Sequence, residues 1–82
     1  MEIIRTIAIF DKETENLLGE QSIAVPDFAE LYRRYGAPAD DPLLLNCYPI
    51  YDSDRTIFAP LVPSSFIFDF SKLDYFLEAT SE

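Results

Sequence analysis

The sequence predicts an α+β domain: a small antiparallel or mixed sheet of about four strands with two main helices packed on one face, in the order ββαβ-βα. Three observations lead there. Residues 3–10, IIRTIAIF, are β-branched and apolar nearly throughout, as in a strand. Phe28, Leu31, Tyr32 and Tyr35 recur at helical spacing between Asp27 and Gly36. Residues 66–70, FIFDF, return to strand alternation. At 82 residues the chain forms a single domain, residues 1–82.

Each element follows from local chemistry. The opening MEIIRTIAIF lacks the basic n-region and small-residue cleavage site of a signal peptide and reads as a first strand. DKETEN, residues 11–16, suits a hairpin loop, and LLGEQSIAV, residues 17–25, returns as the second strand, with a bulge or a late strand start at Gly19. Pro26 and Asp27 start the helix, Glu30 completes a capping box with Asp27, and Gly36 stops it. LLLNCYPIY, residues 43–51, reads as a third strand with Pro49 near its end or on an edge. Residues 52–65 read either as a turn or as a short helix that Ser53 or Asp54 caps, carrying Ile57, Phe58 and Leu61 and ended early by Pro60. After the strand at 66–70, Ser71 caps a final helix to about Ala79 with Leu73, Phe76 and Leu77 inward. Phe28, Leu31, Tyr35, Phe76 and Leu77 are the expected core.

Composition narrows the function. Apolar residues make up 49%, too many for a disordered acidic tail. The net charge is −9, which disfavours bare nucleic acid and anionic membrane surfaces and favours a basic protein partner. No stretch approaches the 18 apolar residues of a membrane span. The one cysteine, Cys47, fits a reducing cytoplasm and reads as a small core residue of its strand. There is no histidine, so the usual general base and nucleophile activator are missing. No zinc-ligand cluster or phosphate-cradling glycine loop is present, and the chain is read as a non-enzyme without cofactor.

Carboxylates carry what remains. Asp52 and Asp54 lie two apart, with Asp40 and Asp41 upstream. In an extended segment Asp52 and Asp54 point the same way and share a divalent cation; in turns and caps they hold the backbone. In the final helix, Asp74 and Glu78 are four apart on an outer face with Tyr75 beside them toward solvent. Like charges at that spacing are locally unfavourable, which points to a binding role. Asp69 alternates with Phe68 and Phe70 and faces away from them. Asp69, Asp74, Tyr75 and Glu78, with Asp40, Asp41, Asp52 and Asp54, are the expected partner-binding residues.

DPLLLNCYPI and DFSKLDYFLEA resemble segments of a family of small acidic bacterial proteins, and by size and charge the chain resembles immunity proteins of toxin–immunity systems, including contact-dependent growth inhibition. That resemblance implies a cytoplasmic protein that neutralises a cognate toxin domain, often a basic nuclease, by covering the cationic surface that holds RNA or DNA. The alternative is a regulatory or structural module that forms a weak homodimer or joins a partner through a sheet edge.

Overall fold

The computed structural model describes residues 3–25, 28–36 and 38–81. Strand β1 spans Ile3–Asp11 and strand β2 spans Leu17–Ile23. Helix α1 covers Phe28–Tyr35. Strand β3 is Tyr48–Ile50, helix α2 is Arg55–Phe58 between 3-10 turns at Asp52–Asp54 and Ala59–Leu61, and strand β4 runs Leu73–Ser81. The sheet is four-stranded and antiparallel, in the order β2-β1-β4-β3. The α+β class, the four-stranded sheet and the first helix thus stand, but neither the expected strand at 66–70 nor the expected final helix is found, and the second helix is the short α2.

The hairpin follows its composition. Asp11 Oδ1 accepts from the Glu13 and Thr14 N–H groups at 2.8 and 2.9 Å, and Glu15 takes a positive φ of 63° to close the loop. Ile9 pairs with Gly19 and Phe10 with Leu17, so Leu18 is the extra residue of a bulge beside Gly19. Gly36, at φ 78°, donates its N–H to Tyr32 O at 2.8 Å and ends α1 as a left-handed cap. The Asp27 cap lies outside the described residues, as does the side chain of Phe28.

The expected final helix is a strand. Leu73, Tyr75, Leu77 and Ala79 alternate with Asp74, Phe76, Glu78 and Thr80, a period of two that the helical spacing of Leu73, Phe76 and Leu77 hides. Pairing decides between the periods: β4 lies between β1 and β3, and its nine residues pair with β1 from Ile3↔Ser81 to Asp11↔Leu73. Tyr75 and Leu77 are therefore buried under the helices, while Phe76 is only partly buried and turns to the other face.

The expected strand at 66–70 pairs with no other strand. Its alternation is real but serves ring packing. Phe66, Phe68 and Phe70 surround Tyr75 at centroid distances of 6.1, 4.9 and 5.0 Å, while Ile67 is 81% exposed.

The expected third strand shrinks to three residues because side chains take up the backbone groups of 43–46. Arg5 donates to Leu43 O at 2.7 Å and Leu44 O at 2.9 Å. The Asp41 carboxylate accepts from the N–H groups of Leu45 and Asn46 at 2.8 and 3.0 Å. Leu44 sits at a positive φ of 52° with its side chain fully buried.

One core forms on one face of the sheet. Ile7, Leu77, Tyr75 and Ile50 meet Leu31 of α1, Phe58 of α2 and Leu44 of the loop. Tyr35 packs against this cluster and donates its hydroxyl to Pro49 O at 2.7 Å. Among the described residues, no helix is long and apolar enough to cross a membrane.

Candidate functional site: the uncovered sheet face

Helices and loops pack on the face of Arg5, Ile7, Ile9, Tyr75 and Leu77. Alternation puts Ile4, Thr6, Ala8 and Phe10 of β1 on the opposite face, with Asp74, Phe76, Glu78 and Thr80 of β4. The register lines them up as Phe10↔Asp74, Ala8↔Phe76, Thr6↔Glu78 and Ile4↔Thr80. Strand β2 adds Glu20 opposite Ala8 and Ser22 opposite Thr6. Among the described residues, no helix packs on this face. Phe10 and Phe76 form its apolar centre, edge to face at 5.5 Å.

Asp74 and Glu78 do share a face, but as strand neighbours across Phe76. Four residues of strand rise separate their backbones by roughly 13 Å. That exceeds a screening length of about 8 Å at physiological salt, so the mutual repulsion expected from a helix is absent. Asp74 pairs with Lys12 at 3.1 Å, both about half exposed. Glu78 Oε2 accepts from the Cys47 thiol at 3.6 Å. Cys47 is exposed rather than a core residue, because the loop before β3 is not a strand. Partial burial, with the nearby Glu78 carboxylate, pushes its thiol pKa up and keeps it protonated.

Thr6 lies between Ser22 and Glu78 and is 7% exposed, yet its Oγ1 has no hydrogen-bond partner among the described residues. A buried hydroxyl left unpaired costs about 1–3 kcal/mol.

The other expected partner-binding residues scatter. Asp52 is outward on its 3-10 turn, paired with Arg55 at 2.7 Å. It shares a cleft with Lys12, Tyr51, Phe70, Asp74 and Phe76, adjoining the open face. Asp40 is exposed in the loop. Asp54 is 2% exposed, ion-paired with Arg34, and accepts the Tyr51 N–H at 2.9 Å. The turn thus sends Asp52 and Asp54 in different directions, contrary to the shared orientation expected of a cation site. Among the described residues, no group of three or more Cys, His, Asp and Glu side chains is placed to hold a metal ion.

Asp41 is also buried. Hydrogen bonds from the Tyr48 hydroxyl and from the Asn46 and Leu45 N–H groups hold its carboxyl below the usual range. The bond to Asp41 pushes the Tyr48 phenol up to about 12. Asp69 accepts from Ser71 Oγ at 2.6 Å and from the Ser71 N–H at 3.2 Å, which lowers its pKa and closes the turn into β4. Tyr75, expected toward solvent, is 2% exposed, and its hydroxyl accepts the Asp69 N–H at 2.8 Å. Thr6, Phe10 and Phe76 were not singled out as site residues; the two adjacent polar residues, Arg5 and Thr6, inside IIRTIAIF and the alternation of LDYFLEAT were the signals for them.

No curated protein matches the chain. The chain belongs to the family described as Domain of unknown function (DUF7683), whose profile matches residues 4–78.

Proposed function

We propose that this protein works by binding: a basic protein partner docks on the uncovered sheet face. The observation that supports this is an apolar centre, Phe10 and Phe76, bordered by the carboxylates of Glu20, Asp74 and Glu78 on a face where no helix packs among the described residues. Apolar centre and charged rim are the ordinary anatomy of an interface. The net charge of −9 steers a basic partner toward it. Strand spacing and rise give the face an area on the order of 500 Å². A standard interface takes about 800 Å² from each partner, so a flank must join. The Tyr51–Asp52 cleft adjoins at Asp74 and Phe76.

The specific form of this reading is immunity: a cytoplasmic protein that covers the cationic substrate surface of a toxin nuclease and has no catalytic activity of its own. The test is growth of cells expressing the product of the gene adjacent to this one, with and without this protein. Rescue by the parent and loss of rescue with F76S and E78K support the reading. Rescue that both variants retain, or a neighbour that is not toxic, contradicts the immunity form.

A second reading rests on β2, an edge strand with Leu17 and Leu18 52% and 58% exposed. Such an edge is open to a further strand from a second copy. Sedimentation across a hundredfold concentration range tests it, and a constant monomer mass excludes it.

A further inference from the structure

We propose that the Ser22–Thr6–Glu78 row is the seat of an arginine side chain of the basic partner, its guanidinium bridging the Thr6 hydroxyl and the Glu78 carboxylate. This rests on the open-face reading and names the chemistry recognised there. Its independent support is Thr6: 7% exposed, on the face where no helix packs, with an Oγ1 that has no partner among the described residues. A buried polar group in that state calls for a partner from outside the fold.

The register supplies the rest. Thr6 pairs directly with Glu78 on one side and Ser22 on the other. Directly opposed side chains stand about 5 Å apart at Cβ, a span that the two nitrogens of one planar guanidinium can bridge. An ammonium is a compact point charge and does not match two acceptors so spaced. Among the described residues Glu78 accepts from the Cys47 thiol, a weak donor, so its carboxylate keeps capacity for a charged one. Ser22, in the row, and Ala8, beside it, are small side chains. Phe76, next on the same face of β4, offers a ring on which a guanidinium lies flat. The chain's Arg33, Arg34 and Arg55 are paired with Glu30, Asp54 and Asp52 away from the row. The Thr6 oxygen is covered in the free protein, so the seat requires a neighbouring side chain such as that of Glu78 to swing aside as the guanidinium enters.

The experiment is a two-dimensional amide NMR titration of the whole protein at low salt with N-acetyl-L-argininamide, and separately with N-acetyl-L-lysinamide. The arginine probe is expected to shift and saturate the amides of Thr6, Ser22 and Glu78. Glu78→Gln weakens it about tenfold, as the loss of a charge-assisted bond requires. Thr6→Val weakens it about fivefold while melting no lower than the parent, which separates a binding role from a structural one. The lysine probe binds more weakly than the arginine probe. Shifts spread evenly over Glu13, Glu15 and Asp52, equal affinity for the two probes, or identical titrations of parent and Thr6→Val each overturn the seat. If the seat fails while E78K still impairs rescue by the whole protein, the open-face reading stands alone. If E78K also leaves rescue intact, the face reading fails with it.

Discussion

Thr6 is the residue at which stability and binding diverge. Its hydroxyl is buried without a partner, and valine fills the same shape with better strand propensity. Thr6→Val is therefore expected to stabilise the free protein. A gain of 1 kcal/mol raises the melting temperature of a domain this size by about 4–8 °C, and a thermal melt that falls instead shows the hydroxyl to be satisfied. Arg34 and Asp54 diverge in the opposite way. The Asp54 side chain is 3% exposed and the Arg34 side chain 29%, so removing the arginine strands a charge that water cannot reach. Arg34→Met should cost about 3–5 kcal/mol, the usual penalty for breaking a buried pair from one side. Urea midpoints should place it well below Asp54→Asn, whose amide still accepts the Tyr51 N–H. Asp41 and Tyr48 set the pH range. The folded pKa of Asp41 is depressed, so its stabilisation is present above its unfolded value of about 4 and is lost as pH falls through the folded one. The folded pKa of Tyr48 is raised, so its stabilisation is present below about 10 and is lost as pH climbs to about 12. Urea midpoints measured from pH 2 to 12 should plateau between these limits, and Asp41→Asn should flatten both shoulders.

At the scale of elements, β4 shows what local pattern conveys and what it does not. LDYFLEAT satisfies both a helical and a strand period, because apolar residues stand at 73, 75, 76, 77 and 79. Only the pairing partner, β1, about seventy residues earlier in the chain, resolves them, and a window along the sequence does not contain it. The β1–β2 hairpin and α1 were legible because their signals are local: a polar loop, a helical apolar face and a terminal glycine. The 43–46 segment was not, since its backbone is held by Arg5 and Asp41 rather than by a ladder. The site was legible in part. Asp74 and Glu78 fall on one face under either period, so they were found, whereas Phe76 between them and Thr6 opposite required the strand. The two periods make opposite claims on Phe76 and Tyr75, which decides the test. Leu77→Ala should cost about 2–5 kcal/mol as a core truncation, and Phe76→Ser clearly less, with folding retained. Equal losses at both positions in urea unfolding would return Phe76 to the core.

For the whole molecule, the distribution of charge matters more than its total. Fifteen acids against six bases give long-range attraction for any basic protein, but Asp41, Asp54 and Asp69 are engaged in holding loops and turns. The carboxylates free to meet a partner are fewer, and Glu78 and Asp74 stand on the face with an apolar centre. A charge reversal at Glu78 and one at Glu13, exposed in the hairpin loop, change the net charge equally. The most direct measurement is therefore the binding of the adjacent gene's product to the parent, E78K and E13K at low and at physiological salt. The expected result is that E13K slows association slightly, and only at low salt, where screening is weak. E78K should raise the dissociation constant at least tenfold at both salt concentrations, as loss of a desolvated pair requires. Equal effects of the two reversals, or none from either, would contradict binding through the open face of the sheet.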